Sequence, residues 1–406
     1  MTEPIIIGVT GTKGKTSTVH FIAQLMGGAR QGVAYDSTVN CRMDTYVVEP
    51  CQTTEDIRDL VIFSKQRGVQ YVVLEVTSIV TTITPLDSVC KYDCAVFTNI
   101  GREHLNIHRS MRNYMSSKRK LFACIEPKNK SFNPKWVILN RDDPAWKFML
   151  KAVHEDVLVA TYSAGSPKGD PVSKWDFRIE KIVHSQQGTK FDLYAPGFRL
   201  QRCKTHLHGT FNIYNILAAS TCALLYGIPM RSVVEVIKHL IPPSGRFEII
   251  HRSSKRTPWV IVDYAHTAES LEAVLSSARL LVPSGRIICV FGCGGDCYKA
   301  KRSAMGDVAS RFSDLVVLTS DNPRSEDPIR IINKIMSGIS REKKKQVIIE
   351  PNRKSAIYFA INNAGPGDLV LLAGMGHATT QTIGKKTLPF SDQTVARDAL
   401  QQIYHL

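Results

Sequence analysis

The apolar segment Ile5-Ile6-Ile7-Gly8-Val9-Thr10 runs without a break into Gly11-Thr12-Lys13-Gly14-Lys15-Thr16-Ser17-Thr18. Val19, Ile22, Ala23 and Met26 then recur at helical spacing. A strand that turns on glycines directly into a helix is the layout of a P-loop. Gly11 and Gly14 free the backbone to close its N–H groups around phosphate oxygens, Lys15 can reach the β- and γ-phosphates, and Thr16 can hold Mg²⁺. The general pattern places its first glycine where this chain has Val9, with Gly8 one residue earlier. A chance Gly-Lys-Thr turn is the bland alternative, but the strand before it and the helix after it point to a nucleoside triphosphate.

Apolar runs continue to alternate with helical patterns. Gly27-Gly28 and Gly32 interrupt the first helix, and Gln52-Thr53-Thr54-Glu55-Asp56 reads as the cap of a helix reaching Gln66. Strands are expected at 71–76, 94–100 and 136–140, the first ending near Glu75 and the second leading through Asn99 to His104. From Lys174 to Leu207 the period shifts towards two, which suggests an antiparallel insert or flanking sheet, and a helix follows from Phe211 to Tyr226. Pro242-Pro243-Ser244-Gly245 cannot continue the helix before it and reads as a linker. Beyond it, strands ending at Asp263, Gly292, Ser320 and Gly374 define a second α/β unit. The expected division is therefore 1–243 and 244–406, two mostly parallel α/β domains with ligands at the carboxyl ends of strands and chemistry in the cleft between them.

A length of 406 residues supports two domains or three, and 43% hydrophobic with 22% charged residues reads as soluble and globular. No apolar run approaches the roughly 20 residues of a membrane span, and the N-terminus lacks the basic start of a signal peptide. Ten cysteines lie scattered without a C-x-x-C framework and read as reduced thiols of a cytoplasmic protein; Cys293 and Cys297 lack a partner pair for a metal. The formal charge of +16 suits acidic small molecules. The basic runs are short and carry no interleaved aromatics, so a solvated surface around an anion-binding cleft is preferred to a nucleic-acid interface.

Glu75 and His104, expected at neighbouring strand ends near the P-loop, make sense as Mg²⁺ ligands or outer-sphere partners. His104 and His108 stand at i, i+4, which leaves a zinc pair as the alternative and capping or core roles for His108 as the bland one.

These residues resemble a known family. Thr10 to Thr16 resembles the Mur ligase P-loop. Phe97-Thr98-Asn99-Ile100 with Arg102, His104, His108, Asn113-Tyr114 and Lys118 is similar to that family's second signature, and Gly209 to Asn215 and Gly245-Arg246-Phe247-Glu248 to the next two. Val262 to Thr267, Gly292 to Asp296 and Ser320 to Arg324 point to the branch of tripeptide synthetases, which add the third residue of the peptidoglycan stem. The resemblance runs to Asp392 in order. It implies a P-loop central domain with a small flanking antiparallel sheet, and a Rossmann-like C-terminal domain that binds the amino acid and closes over ATP. It also implies ATP-dependent, ADP-forming amide synthesis through an acyl phosphate.

Carried over residue by residue, Lys15, Glu75, His104 and Lys118 are the catalytic set. Gly11, Thr12, Gly14, Lys15, Thr16, Ser17, Asn99, Asn212, Arg246 and Asp263 are implied for ATP. Thr16 would hold one Mg²⁺, and Glu75, His104 and a carbamylated Lys118 a second. By sequence alone Lys118 is a surface lysine in the run Lys118-Arg119-Lys120. Thr53, Thr54 and Thr77 are implied for the acceptor, and Asp321, Asn322, Arg324, Gly374 and His377 for the amino acid.

Departures from the pattern fall in the substrate positions. The family's uridine-binding first domain, of roughly a hundred residues, is expected to be absent, so that a partner protein could supply it. The family's Glu-Val-Ser-Ser-His reads Glu75-Val76-Thr77-Ser78-Ile79, and an acceptor-binding arginine is replaced near Pro85. Gly-Lys-Gly-His-Glu becomes Gly374-Met375-Gly376-His377-Ala378, and the arginine after Asp296 becomes Cys297. The expected activity joins an amino acid to a carboxylate acceptor such as a UDP-MurNAc-peptide. The alternatives are a repurposed ligase with a non-uridylylated acceptor and a non-catalytic ATP-binding subunit. A nucleic-acid-stimulated ATPase rests on charge alone.

Overall fold

A computed structural model describes residues 3–27, 32–43, 46–48, 50–51, 53–83, 86, 89–127, 134–165 and 174–405. The expectations placed on Gly28, Gln52 and Pro85 lie outside the described residues. The chain forms two compact units, one of residues 1–183 and 187–241, the other of 184–186 and 242–406.

The first unit is built on an 11-stranded sheet. Its centre is the strand Ile5–Thr10, which pairs in parallel with Tyr71–Glu75 on one side and Cys94–Phe97 on the other. Trp136–Asn140, Leu158–Ala164 and Asp176–Ser185 extend the parallel run beyond Cys94–Phe97, and Val33–Asp36 extends it beyond Tyr71–Glu75. Because successive strand residues point to opposite faces, a strand covered on both sides must be apolar throughout. Ile7, Val9, Val73 and Val96 enter one core with Phe21, Ile22 and Leu25 of the helix Lys15–Gly27 and with Ile213, Ile216 and Leu217 of Thr210–Leu225. Ile6, Val72, Leu74, Ala95 and Phe97 enter the opposite core with Ile57 and Leu60 of Thr54–Gln66 and Leu121 and Phe122 of Met111–Ala123. The sheet that carries the P-loop is thus clamped from both faces. The period-two segment behaves partly as expected. Gly188–Tyr194 and Gln201–Thr205 pair antiparallel, but they lie at the edge of the main sheet as its continuation.

The second unit carries a six-stranded sheet in the order Glu248–His251, Trp259–Asp263, Leu369–Ala373, Ile287–Phe291, Leu315–Leu318, Val347–Ile349. All neighbours are parallel except the first pair. Since Leu369–Ala373 enters last and between the first two parallel strands, the connections on its two sides diverge. A crevice at the carboxyl ends is the geometric consequence. Asp263, Gly292 and Gly374 stand at those ends.

Arg353 holds this end of the sheet together. Both its side chain and that of Asp392 are fully buried, with Nε donating to Asp392 Oδ1 at 2.7 Å and Nη2 to Oδ2 at 2.6 Å. The same guanidinium donates to Ala373 O at 3.0 Å and Ser320 O at 3.3 Å, the carbonyls just before the Gly374 and Asp321 segments. A buried ion pair with all its hydrogen bonds made is costly to break on one side, because the remaining charge is stranded. Arg353→Met should therefore destabilise the protein by about 3–5 kcal/mol in chemical denaturation. The double variant with Asp392→Leu should recover a large part of that loss, and equal loss in both would remove the stranded-charge account.

Candidate active site

The P-loop is gripped by groups far away in sequence. Thr12 N donates to Asn99 O at 2.7 Å, Lys13 N to Asn99 Oδ1 at 2.9 Å, and Asn99 Nδ2 and Thr98 Oγ1 donate to Lys13 O at 3.0 and 2.7 Å. Gly11 and Gly14 have φ of +146° and +82°. A Cβ on Gly11 would lie 1.9 Å from Thr98 Oγ1, and one on Gly14 would lie 2.4 Å from Asn215 Oδ1. Only glycine tolerates both the dihedral and the approach. Asn99 and Thr98 therefore act on the loop itself, and Asn212, buried, donates Nδ2 to His208 O at 2.9 Å while Asn215 packs beneath Gly14.

Glu75, at the end of the neighbouring strand, gathers the first helical turn. Its Oε2 accepts from Thr16 Oγ1 at 2.8 Å and from Thr38 N at 3.1 Å, and Oε1 lies 3.7 Å from Lys15 Nζ, which also donates to Thr12 O at 2.9 Å. Ser17 is buried in the same turn. Lys118 lies beneath this loop: its side chain is buried, Nζ donates to Gly11 O at 2.6 Å and stands 4.7 Å from the centre of the Tyr114 ring. Burial, reinforced by Lys15, pushes its pKa well below that of an ordinary lysine. Tyr114 Oη and Thr12 Oγ1 are 3.0 Å apart, and Lys13 Nζ donates to Glu103 Oε1 at 2.9 Å.

His104 has a left-handed φ of 55° at the start of the short helix Leu105–His108. Its pKa is lowered by burial first, with Glu103 opposing and Lys15 and Lys118 adding to the effect. His108 lies 3.0 Å from Ser78 Oγ through Nε2, and among the described residues no metal-ligating group forms around the two histidines. Thr53 caps its helix, accepting from Asp56 N at 3.1 Å and donating its own N–H to Asp56 Oδ2 at 2.7 Å. Thr54 Oγ1 donates to Glu55 at 3.2 Å, and Thr77 Oγ1 accepts from Val80 N at 3.4 Å.

In the second unit Asp263 Oδ2 accepts from Phe247 N at 2.6 Å, and Arg246 lies 4.6 Å over the Tyr264 ring. His377 faces that ring at 5.0 Å. Gly374 passes so close to Asp321 that a Cβ would meet Oδ2 at 2.6 Å. Asp321 Oδ1 accepts from Asn322 N at 2.6 Å, and Asn322 Oδ1 accepts from Thr382 N at 2.7 Å. Arg324, at a left-handed φ of 52°, donates Nη1 to Gly295 O at 3.1 Å and reaches Cys297 Sγ at 3.4 Å. Behind it, Glu326 accepts from Arg302 Nη2 and Nη1 at 2.9 and 3.0 Å and from Asp296 N at 2.7 Å.

Sequence reasoning did not single out Thr98, Glu103, Tyr114 or Arg302 as site-forming groups. Thr98 and Tyr114 were visible within quoted motifs, Glu103 directly before His104. Arg302 carried no local signal.

Comparison with known proteins agrees with this architecture. Residues 9–223 match the Mur ligase middle domain, and residues 245–376 match the Mur ligase, glutamate ligase domain. The UDP-N-acetylmuramoyl-L-alanyl-D-glutamate--2,6-diaminopimelate ligase of Bacillus cereus is 36% identical over 97% of this chain and 78% of its own. The protein of that name from Solibacter usitatus is 38% identical over 98% of this chain and 77% of its own. A solved structure of such a ligase has a TM-score of 0.68 at 29% identity, covering 100% of this chain and 80% of that one. The chain belongs to the Mur ligase family. It is an ATP-dependent acid–amino-acid ligase that forms an amide bond and releases ADP. Among the described residues no helix is long and apolar enough to cross a membrane.

Glu326 gives the second unit a titration signature. Its hydrogen bonds from Arg302, then that from the Asp296 N–H, lower its pKa from 4.5 to about 2. A depressed carboxylate stabilises the fold fully above its unfolded pKa, and that contribution fades as pH falls from 4.5 towards about 2. Glu326→Gln should flatten the acid limb of the stability profile in that window, with a modest loss at neutral pH because solvent screens much of the interaction. A parallel acid limb in both proteins would contradict the assignment.

Proposed function

We propose that this chain activates a carboxylate of a UDP-MurNAc-peptide by phosphoryl transfer from ATP with Mg²⁺ and joins it to an amino acid, diaminopimelate or a close analogue, in the cytoplasm. The observation that carries this reading is the convergence of Lys15, Thr16, Glu75 and the buried Lys118 on one glycine loop. It occurs in a chain similar along nearly its whole length to ligases named for that reaction.

Phosphoryl transfer needs placement and charge neutralisation more than covalent help from the protein. The amides of Gly11 to Thr16 open onto the N-terminus of a 13-residue helix, a setting that favours phosphate oxygens. Lys15 then exchanges its contact with Thr12 O for the phosphates. Thr16 Oγ1 and Glu75 Oε2 present a hydroxyl and a carboxylate side by side, a donor set suited to a hard cation. Mg²⁺ bound there would neutralise charge on the transferring phosphoryl group. His104, held towards the neutral form, can accept or ligate.

The lowered pKa of Lys118 supports carbamylation. A neutral amine can attack CO₂ through nitrogen and lose one proton, converting an uncharged buried amine into an anionic carbamate beside the metal position. An acceptor carboxylate oxygen attacks the γ-phosphorus and ADP leaves. The incoming amine attacks the acyl carbon and phosphate departs, with one proton lost from nitrogen. Arg324 and Asp321 at the strand ends of the second unit are assigned to the amino acid, and Asp263 and Arg246 to the nucleotide. The contact of Arg324 with Cys297, together with Ala378 in place of a glutamate, favours a second reading in which the amino acid or acceptor differs from that of the relatives.

Phosphate release from ATP and Mg²⁺, measured over a matrix of amino acids and acceptors, tests the assignment. Turnover with UDP-MurNAc-dipeptide and diaminopimelate is expected, and turnover confined to other pairs would replace the substrate assignment with the second reading. Lys118→Ala should lower kcat about 100-fold or more and abolish a ¹³C-bicarbonate-derived carbamate resonance. No turnover of ATP with any pair, but turnover once a partner protein is added, would favour a non-catalytic subunit.

Gly14→Ala should weaken ATP binding at least about tenfold, roughly 1.4 kcal/mol. Adding Asn215→Ala should recover only the part due to the clash and leave the backbone strain. Full recovery in calorimetric titration would show that the dihedral is not limiting.

A further inference from the structure

Outside the nucleotide loop, the hairpin beside Glu75 brings together Asp36, Cys41 and Cys51, whose ligand atoms all lie within 4.8 Å of one another. Asp36 ends the strand Val33–Asp36 and is the direct register partner of Cys41, the first residue of the antiparallel strand Cys41–Met43, so both side chains project from the same face. Cys51 is brought in from the segment before the helix Thr54–Gln66 and is fixed there because its N–H donates to Asp36 Oδ1 at 2.8 Å. Asp36 and Cys41 are buried, at 6% and 1% exposure, and Cys51 is partly open to solvent. Two thiols and a carboxylate, with the Cys51 thiol hydrogen-bonded to both Cys41 and Asp36, are thus drawn into one small, largely enclosed set of metal-ligating atoms.

We propose that Asp36, Cys41 and Cys51 form a structural zinc site that braces the strand end next to Glu75. Two sulfurs and one oxygen are the donor set of a borderline-soft divalent cation, and they discriminate against Mg²⁺, which suits oxygen-only sites. In a tetrahedral site with Zn–S near 2.3 Å and Zn–O near 2.0 Å, ligand atoms stand about 3.5–3.8 Å apart. From separations of at most 4.8 Å the cluster needs a contraction of no more than about 1.3 Å to reach that geometry. Binding releases the two thiol protons to solvent and leaves Asp36 free to ligate through the oxygen that Cys51 N–H does not occupy. The fourth position falls to water. Three chain segments would then be tied at one point, two residues before Thr38, whose N–H holds Glu75 Oε2 at 3.1 Å. Sequence inspection passed over the cluster because its members are separated by five and ten residues and belong to no C-x-x-C pair.

The full chain, produced with zinc in the medium and desalted, should carry about one zinc per chain by elemental analysis. After exchange with Co²⁺, thiolate-to-cobalt charge-transfer absorption should appear in the near ultraviolet and survive a thousandfold excess of Mg²⁺. Cys51→Ser and Cys41→Ser should each lower that absorption by about half, Asp36→Asn should weaken Co²⁺ binding at least tenfold, and Cys293→Ser with Cys297→Ser should leave it unchanged. Should Cys41→Ser fail to fold, the wild-type spectrum and Cys51→Ser remain decisive, since Cys51 lies in a connecting segment. Substoichiometric zinc, absorption that persists in both single variants, or a Cys41–Cys51 disulfide that binds no Co²⁺ after reduction would overturn the proposal.

Discussion

The carboxylate of Glu75 is the point on which the first unit's site depends. It closes the strand paired in register with the P-loop strand, so its position is set by the sheet and not by a flexible side chain reaching in. From there it fixes the Thr16 hydroxyl, stands against Lys15 and accepts the Thr38 N–H. A single anion thus orients the hydroxyl, the cation and the neighbouring strand end. The apolar cores on both faces of the sheet make this precision affordable. With Val9, Val73 and Val96 packed on one side and Leu74 and Phe97 on the other, the three strand ends cannot shift independently.

Around that anion the chain crowds positive charge: Lys13, Lys15 and Lys118 all lie near the loop. Each is handled differently. Lys13 is answered by Glu103, Lys15 by Glu75 and a carbonyl, and Lys118 by burial, which favours its neutral amine. Two of the three cations near a loop suited to phosphate thus stand against carboxylates in this state, while burial, with the neighbouring lysines adding to it, lowers the pKa of His104. The excess of +16 over the whole chain is consistent with a surface shaped for acidic small molecules, although it is the local arrangement that carries chemistry.

Much of the frame was legible because it is written locally. The apolar run into Gly11 and Gly14, the strand ending at Glu75 and the Thr53–Asp56 cap each reveal themselves within a few residues. What was hidden depends on distant chain meeting. The grip of Asn99 on Lys13 spans 86 residues, and the contact of Lys118 with Gly11 O spans 107. In a run of basic residues Lys118 reads as exposed. The helix Met111–Ala123 nevertheless turns Tyr114, Lys118, Leu121 and Phe122 to its buried face, and that periodicity was the available signal. The antiparallel strands were visible in their alternation, but no alternation says that they extend an existing sheet. Edge pairing is decided by backbone groups, which carry no residue code.

The second unit shows the same logic with the sign reversed. There a buried cation, Arg353, organises strand ends that carry an anion, Asp321, and a glycine turn at Gly374. Its partner Asp392 leaves little net charge in the interior, so the guanidinium's remaining donors serve only to fix carbonyls. Arg302 repeats the device one layer out, neutralised by Glu326 while it reaches Gly294 O. Arg324 is different: its Nη1 meets a carbonyl and a thiol but no carboxylate. Its charge also acts on the neighbouring Asp296 carboxylate, yet among the described residues no carboxylate clamps the guanidinium in two-point fashion. That separation, two arginines each clamped by a carboxylate for architecture and one that is not, is the physical ground on which we propose substrate selection at Arg324 and its neighbour Cys297.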